Sequence, residues 1–166
     1  MPPTIYQFFE ADHDRLDHCL LAFQDRKRED FASAKPHFYE FMSGLLRHII
    51  WEEEFLFPLF DSLTGLVDIG PTAVLRAEHV LIKRHLEEIR KYVQQSNPGS
   101  DQAEELLLQV LSAHNEKEER ILYPAMDSLV QESSLEELYK KMCVVPENRH
   151  GVDGGRNAGW EDVYTS

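Results

Sequence analysis

The sequence predicts an all-α protein: an antiparallel up-down-up-down four-helix bundle with an irregular C-terminal tail. Three observations predict it. Residues 73–95 and 101–131 are rich in Leu, Glu, Ala, Arg and Lys and repeat with helical period, and no strand is needed anywhere. "DRKRED" (25–30), "TGLVDIGP" (64–71) and "SNPGS" (96–100) interrupt that period, and short links favour antiparallel neighbours. Finally, "HIIWEEEFLFPLFDSL" from His48 is answered by "HNEKEERILYPAMDSL" from His114, a shift of 66 residues (48 to 114).

Each element follows from its own apolar stripe. In the first, Phe9, Leu16, Leu20 and Phe23 enclose His13. In the second, the stripe of Phe38, Met42, Leu45, Ile49, Leu56, Leu59 and Leu63 runs through or beside His48 and Glu52. Leu75, Ile82, Leu86, Ile89 and Val93 do the same around His79 in the third. The fourth puts Ala103, Leu106, Leu107, Val110, Leu111, Ile121, Leu122, Ala125 and Leu129 on one stripe with His114 and Glu118. Pro58 and Pro124 are expected to kink or end their helices, because a ring inside a helix removes a hydrogen bond. Residues 1–142 form the bundle domain, closing with a short helix at 133–142. Residues 143–166, which hold four of the eight glycines and no periodicity, form the tail.

Bulk properties exclude several functions. A chain of 166 residues can bury its own core. Its formal charge of −13, from 30 acidic against 17 basic residues, repels nucleic acid and anionic lipid, so neither is an expected partner. No stretch approaches the roughly 20 apolar residues that span a bilayer, and no basic flank precedes an apolar segment at the N-terminus. A cytoplasmic protein is expected. Cys19 and Cys143 lack any framework or CxxC spacing and read as reduced thiols.

The repeat extends to helices that were not used to find it, since His13 shifted by 66 is His79. The chain therefore reads as two helix hairpins related by a pseudo-twofold, each with one lone histidine and one H-x-x-x-E pair. Residues four apart on a helix are stacked neighbours, about 6 Å between Cβ atoms, so each pair aims an imidazole and a carboxylate at one point. Counting from the turns at 1.5 Å per residue brings all four histidines to one level. Two buried carboxylates among four histidines are untenable without a metal or a complete network. Nitrogen and carboxylate donors without thiolate suit iron, with zinc, manganese or cobalt possible, and two metals sharing Glu52 and Glu118 would fit.

The order H, HxxxE, H, HxxxE, with "EEEFLFP" and "EERILYP" behind the two pairs, resembles the hemerythrin-like (HHE cation-binding) domain over about residues 5–131. That resemblance implies a non-haem di-iron centre with His13, His48, His79 and His114 as terminal ligands and Glu52 and Glu118 as bridges. Oxygen-carrying hemerythrins have a further histidine on the third helix where this chain has Lys83. His85 stands about 240° further round from His79 and cannot share its face. Asp17, at the matching place in the first half, and Lys83 read as a solvated helix-edge pair. His18, His37 and His150 read as surface or packing residues, and Phe57 and Tyr123 as core fillers. The expected ligand is small: dioxygen bound or sensed, or peroxide or nitric oxide turned over. Iron storage or iron-responsive regulation, with the tail as reporter, is a third expectation.

Overall fold

The computed structural model describes residues 1–147, and among them every regular element is helical. α1 spans Ile5–Arg26, α2 Phe31–Trp51, α3 Phe57–Thr64, α4 Pro71–Gln94, α5 Asp101–Lys117, α6 Tyr123–Leu129 and α7 Glu132–Met142. The starts and stops have local causes. A capping box opens α1, in which the Thr4 side chain accepts from Gln7 N–H at 3.1 Å while the Gln7 side chain accepts from Thr4 N–H at 3.0 Å. Asp30 caps α2 through Ser33 N–H. Gly65, at φ 73°, ends α3 in the left-handed conformation that only glycine adopts without strain.

The prolines do something other than expected. The helix runs on through Pro58 and Pro124, and a π-helical turn stands just before each, Glu52–Leu56 and Glu118–Leu122. Phe57 N–H bonds back to the Glu52 carbonyl, and Tyr123 N–H to the Glu118 carbonyl. The wider turn makes room for a ring that would otherwise strike the carbonyl four residues back, so the strain is absorbed without a break. Both turns begin on the carboxylate of an H-x-x-x-E pair. The 66-residue repeat thus extends to a backbone irregularity.

α1 packs along α2, and α4 along α5. The first pair is antiparallel: Phe9 meets Trp51, His13 meets His48, and Phe23 meets Phe38. α2 also packs on α4, and α1 on α6. The apolar core comes in two parts. One is built around Phe23, Phe38, Phe41, Ile82, Leu86 and Leu107; the other around Phe9, Trp51, Leu56, Phe57, Leu122 and Tyr123. Between them in sequence register lie the six histidines and glutamates singled out above, all buried.

Four residues placed on the apolar stripes, Leu63, Leu106, Ile121 and Leu129, are exposed. Leu106 and Ile121 each adjoin a fully buried leucine, Leu107 and Leu122, and one residue is 100° of rotation, enough to turn a side chain out of a packed face. α7 folds back so that the Trp51 indole donates to the Met142 carbonyl at 3.0 Å. Residues 143–147 are non-helical, while the remainder of the tail, His150 included, lies outside the described residues.

The first part of the core is held at its end by a buried ion pair. Lys27 Nζ reaches Glu104 at 2.8 Å and Asp101 at 3.0 Å, tying the end of α1 to the start of α5. Lys27→Ala leaves Glu104 buried without its cation, so urea denaturation should show a loss of about 3–5 kcal/mol.

Candidate metal centre

All six predicted residues come together in one layer. His13 Nε2 and His48 Nε2 stand 3.1 Å apart, as do His79 Nε2 and His114 Nε2, and the ring centroids are 4.7 Å apart in both pairs. Each carboxylate sits between one imidazole of each pair. Glu52 lies 3.5 Å from His48 and 3.1 Å from His79, and Glu118 lies 3.5 Å from His13 and 3.3 Å from His114. The donor atoms of Glu52, His79, His114 and Glu118 lie within 4.8 Å of one another, and so do those of His13, His48 and Glu118. Glu118 belongs to both groups.

The outer nitrogen of every imidazole is held by a second carboxylate. His13 Nδ1 donates to Glu119 at 2.8 Å, His48 to Asp12 at 2.8 Å, His79 to Glu53 at 2.9 Å and His114 to Glu78 at 2.9 Å. In each case the carboxylate comes from a different helix than the histidine, so the first long helix holds the second, the second the third, the third the fourth, and the fourth the first. An ionised carboxylate only accepts, which puts a proton on Nδ1 of each ring and turns Nε2 inward. These four partners were missed in the sequence. Their signal was present: Asp12 and Glu78 directly precede the lone histidines, Glu53 and Glu119 directly follow the paired glutamates, and both sets repeat at 66.

Does this donor set fit a metal? Glu52 and Glu118 are fully buried, and Glu52 Oε2 and both Glu118 oxygens have no hydrogen-bond partner. His79 Nε2 comes within 3.1 Å of Glu52 Oε2, yet without hydrogen-bond alignment. Buried carboxylate oxygens that accept no hydrogen bond are the groups a cation would satisfy. The residues fit a metal cation.

The electrostatics agree. Burial disfavours charge on His48, but the Glu52 carboxylate and the bond to Asp12 outweigh it and push the imidazole up to about 10. His79 is likewise raised to about 9, against its burial, by Glu52 and Glu53. Glu52 resists its own burial and is held well below the usual carboxylate range by His48 and His79. Both raised imidazoles hold a proton at pH 7 that a cation must displace. Metal uptake should therefore release on the order of two protons per chain, and affinity should climb with pH until about 9–10 and then level off. An unbuffered titration with a pH electrode measures this; uptake with no proton release contradicts it.

Two residues differ from expectation. Lys83 is buried, with Nζ 3.7 Å from Glu53, the carboxylate that holds His79. It is no solvated edge residue, because the Glu53 charge repays part of its desolvation. Tyr123 is buried, but its hydroxyl donates to Glu52 at 2.7 Å and lies 3.4–3.5 Å from the inner nitrogens of His48 and His13. Burial and the two central carboxylates raise its ionisation well above the ordinary value, so the hydroxyl keeps its proton. At the matching place Phe57 stacks on His79, centroids 5.5 Å apart, with no hydroxyl to offer. Asp17 and His18 are exposed, His37 and His85 half-buried, and none joins the layer. Cys19 and Cys143 are free thiols.

A helical protein that buries a symmetric histidine–carboxylate cluster between two parts of an apolar core is, by class, a cation-binding helical domain. The hemerythrin HHE cation-binding domain model matches residues 4–126, and the chain belongs to that family. No curated protein and no solved structure matches it. No helix among the described residues is long and apolar enough to cross a membrane.

Proposed function

We propose that this chain is a cytoplasmic, non-haem di-iron protein that binds or senses dioxygen or a related small ligand. The observation that carries this reading is the pair of fully buried carboxylates, each between imidazoles of both hairpins, with three oxygens that accept no hydrogen bond. His13 and His48 would hold one ion, His79 and His114 the other, with Glu52 and Glu118 as bridges. Over residues 1–142 the two hairpins then make an up-down-up-down four-helix bundle around the pair. Iron supplies redox chemistry and open coordination places when bound; manganese and zinc suit the same donors.

The chain's own residues set the conditions for that chemistry. The carboxylates on Nδ1 fix which ring nitrogen faces the layer and hold the rings in place. The two parts of the apolar core exclude water and lower the local dielectric, which strengthens every charge interaction in the layer. The test is metal content per chain in protein purified without added metal, with visible spectra before and after anaerobic reduction and re-exposure to air. Near two irons and a reversible oxygen-dependent band support the reading. Zinc, or no metal, overturns it.

A second reading is favoured by Tyr123, whose hydroxyl is a buried hydrogen-bond donor in contact with Glu52. It is the breakdown of hydrogen peroxide, two molecules giving one dioxygen and two waters, with nitric oxide as another substrate. Tyr123→Phe should then cut peroxide turnover by about tenfold or more while metal content stays the same, within the range of a lost hydrogen-bond donor at a reacting centre. Unchanged turnover, or none above free iron in the parent protein, rules this version out.

A further inference from the structure

The two halves of the metal layer match residue for residue, but their outer seams do not. α2 packs on α4, whereas α1 meets α5 only loosely between the His13–Glu119 contact and the Lys27–Glu104 pair. A cavity of about 680 Å³ opens between α1 and α5. It reaches His13 and Glu119, so its inner end touches the layer. Its wall also carries Asp14, Asp17 and Glu116, and no lysine or arginine.

The repeat provides an internal comparison. Shifted by 66, Asp17 corresponds to Lys83, Ser112 to Leu46 and Glu116 to Ile50. Lys83, Leu46 and Ile50 are all buried, and Asp17, Ser112 and Glu116 are all exposed. One seam is closed by apolar side chains with a cation at its inner end; the other is open and anionic. Immediately behind His13 lies Glu118, fully buried, with neither oxygen hydrogen-bonded and one of them 3.5 Å from His13 Nε2.

We propose that the acidic groove between α1 and α5 is the route by which a divalent cation reaches the buried cluster, passing Asp14 and Asp17 to His13. This rests on the two-metal reading above. A groove lined by one sign of charge between low-dielectric walls concentrates counter-ions and raises their on-rate, an effect that salt weakens. The closed seam would repel the same ion through Lys83. Glu119 stands at the junction, since it lines the groove and also holds His13, and it is about 30% exposed.

The experiment uses the full chain, stripped of metal by chelation, mixed with cobalt(II) and followed by its visible absorption for both rate and final stoichiometry. Asp14→Asn/Asp17→Asn should slow uptake about threefold or more and flatten its salt dependence, with final stoichiometry unchanged. Glu132→Gln/Glu136→Gln, on the exposed face of α7, removes the same charge elsewhere and should leave the rate alone. Ser112→Trp, which fills the groove without altering charge, should also slow uptake. Full loading at the parental rate in both groove variants, or equal slowing in the α7 control, overturns the route and leaves the metal centre standing. A parent chain that takes up no cobalt(II) at equilibrium overturns the centre and the route together.

Discussion

Removing the metal with a chelator is expected to lower the melting temperature by on the order of 15 °C or more. A ligand that binds only the folded chain adds about 4 kcal/mol per site at a thousandfold excess over its Kd. Two such sites add about 8 kcal/mol, and a domain of this size shifts by roughly 2–4 °C per kcal/mol. The structure gives a reason to expect a large response. Glu52 and Glu118 are fully buried, and three of their four oxygens are unbonded, so a cation relieves a desolvation cost the fold otherwise carries. Calorimetry on metal-loaded and chelated protein, with metal content measured in both, checks this. Equal melting curves after verified removal would sink the claim that the layer is built for a cation.

The histidine–glutamate layer was legible in the sequence because it obeys two rules that a single chain displays. Each of its six residues lies on or beside the apolar stripe of its own helix, and the 66-residue shift pairs His13 with His79, His48 with His114 and Glu52 with Glu118. Helix positions were legible for the same reason, with breaks at 25–30, 64–71 and 96–100 falling at or beside the ends of the helices. What was not legible depends on contacts between helices. Asp12, Glu53, Glu78 and Glu119 each sit one residue from a predicted ligand, 100° off its direction, where their own helix reports only a boundary position. Their role appears once the neighbouring helix brings a histidine within reach.

Lys83 was misread, and Tyr123, a core residue as expected, was read incompletely, for a related reason. A lysine beside an apolar stripe reads as solvated until Glu53, from another helix, faces it. A tyrosine matched to a phenylalanine reads as filler, although the hydroxyl is the difference between the two halves. The π turns were hidden differently. A proline inside a helical pattern announces a fault, but the fault is taken up as a wider turn when the surrounding core holds the helix on both sides. Here that turn begins at the carboxylate each half directs into the layer, so the irregularity belongs to the site.

Glu118→Gln is expected to separate a metal-binding role from a merely structural one. Glu118 is shared by both groups of donor atoms, and its amide replacement keeps the shape while removing the charge. Two-metal loading should be lost, with content falling to one ion per chain or fewer, because a neutral amide is a poor bridge between cations. The chelated form should respond in the opposite sense. In the parent chain both Glu118 oxygens are buried without a hydrogen bond, and an amide costs far less to bury than a carboxylate. Chelated Glu118→Gln should thus melt at or above chelated parent protein, and added metal should barely move it. A residue kept for packing would do the reverse, with the variant melting lower whether or not metal is present. Parallel melts of four samples, parent and variant with and without metal, distinguish the two: a lower melt for the variant in both conditions, with two ions still bound, would remove Glu118 from the metal centre.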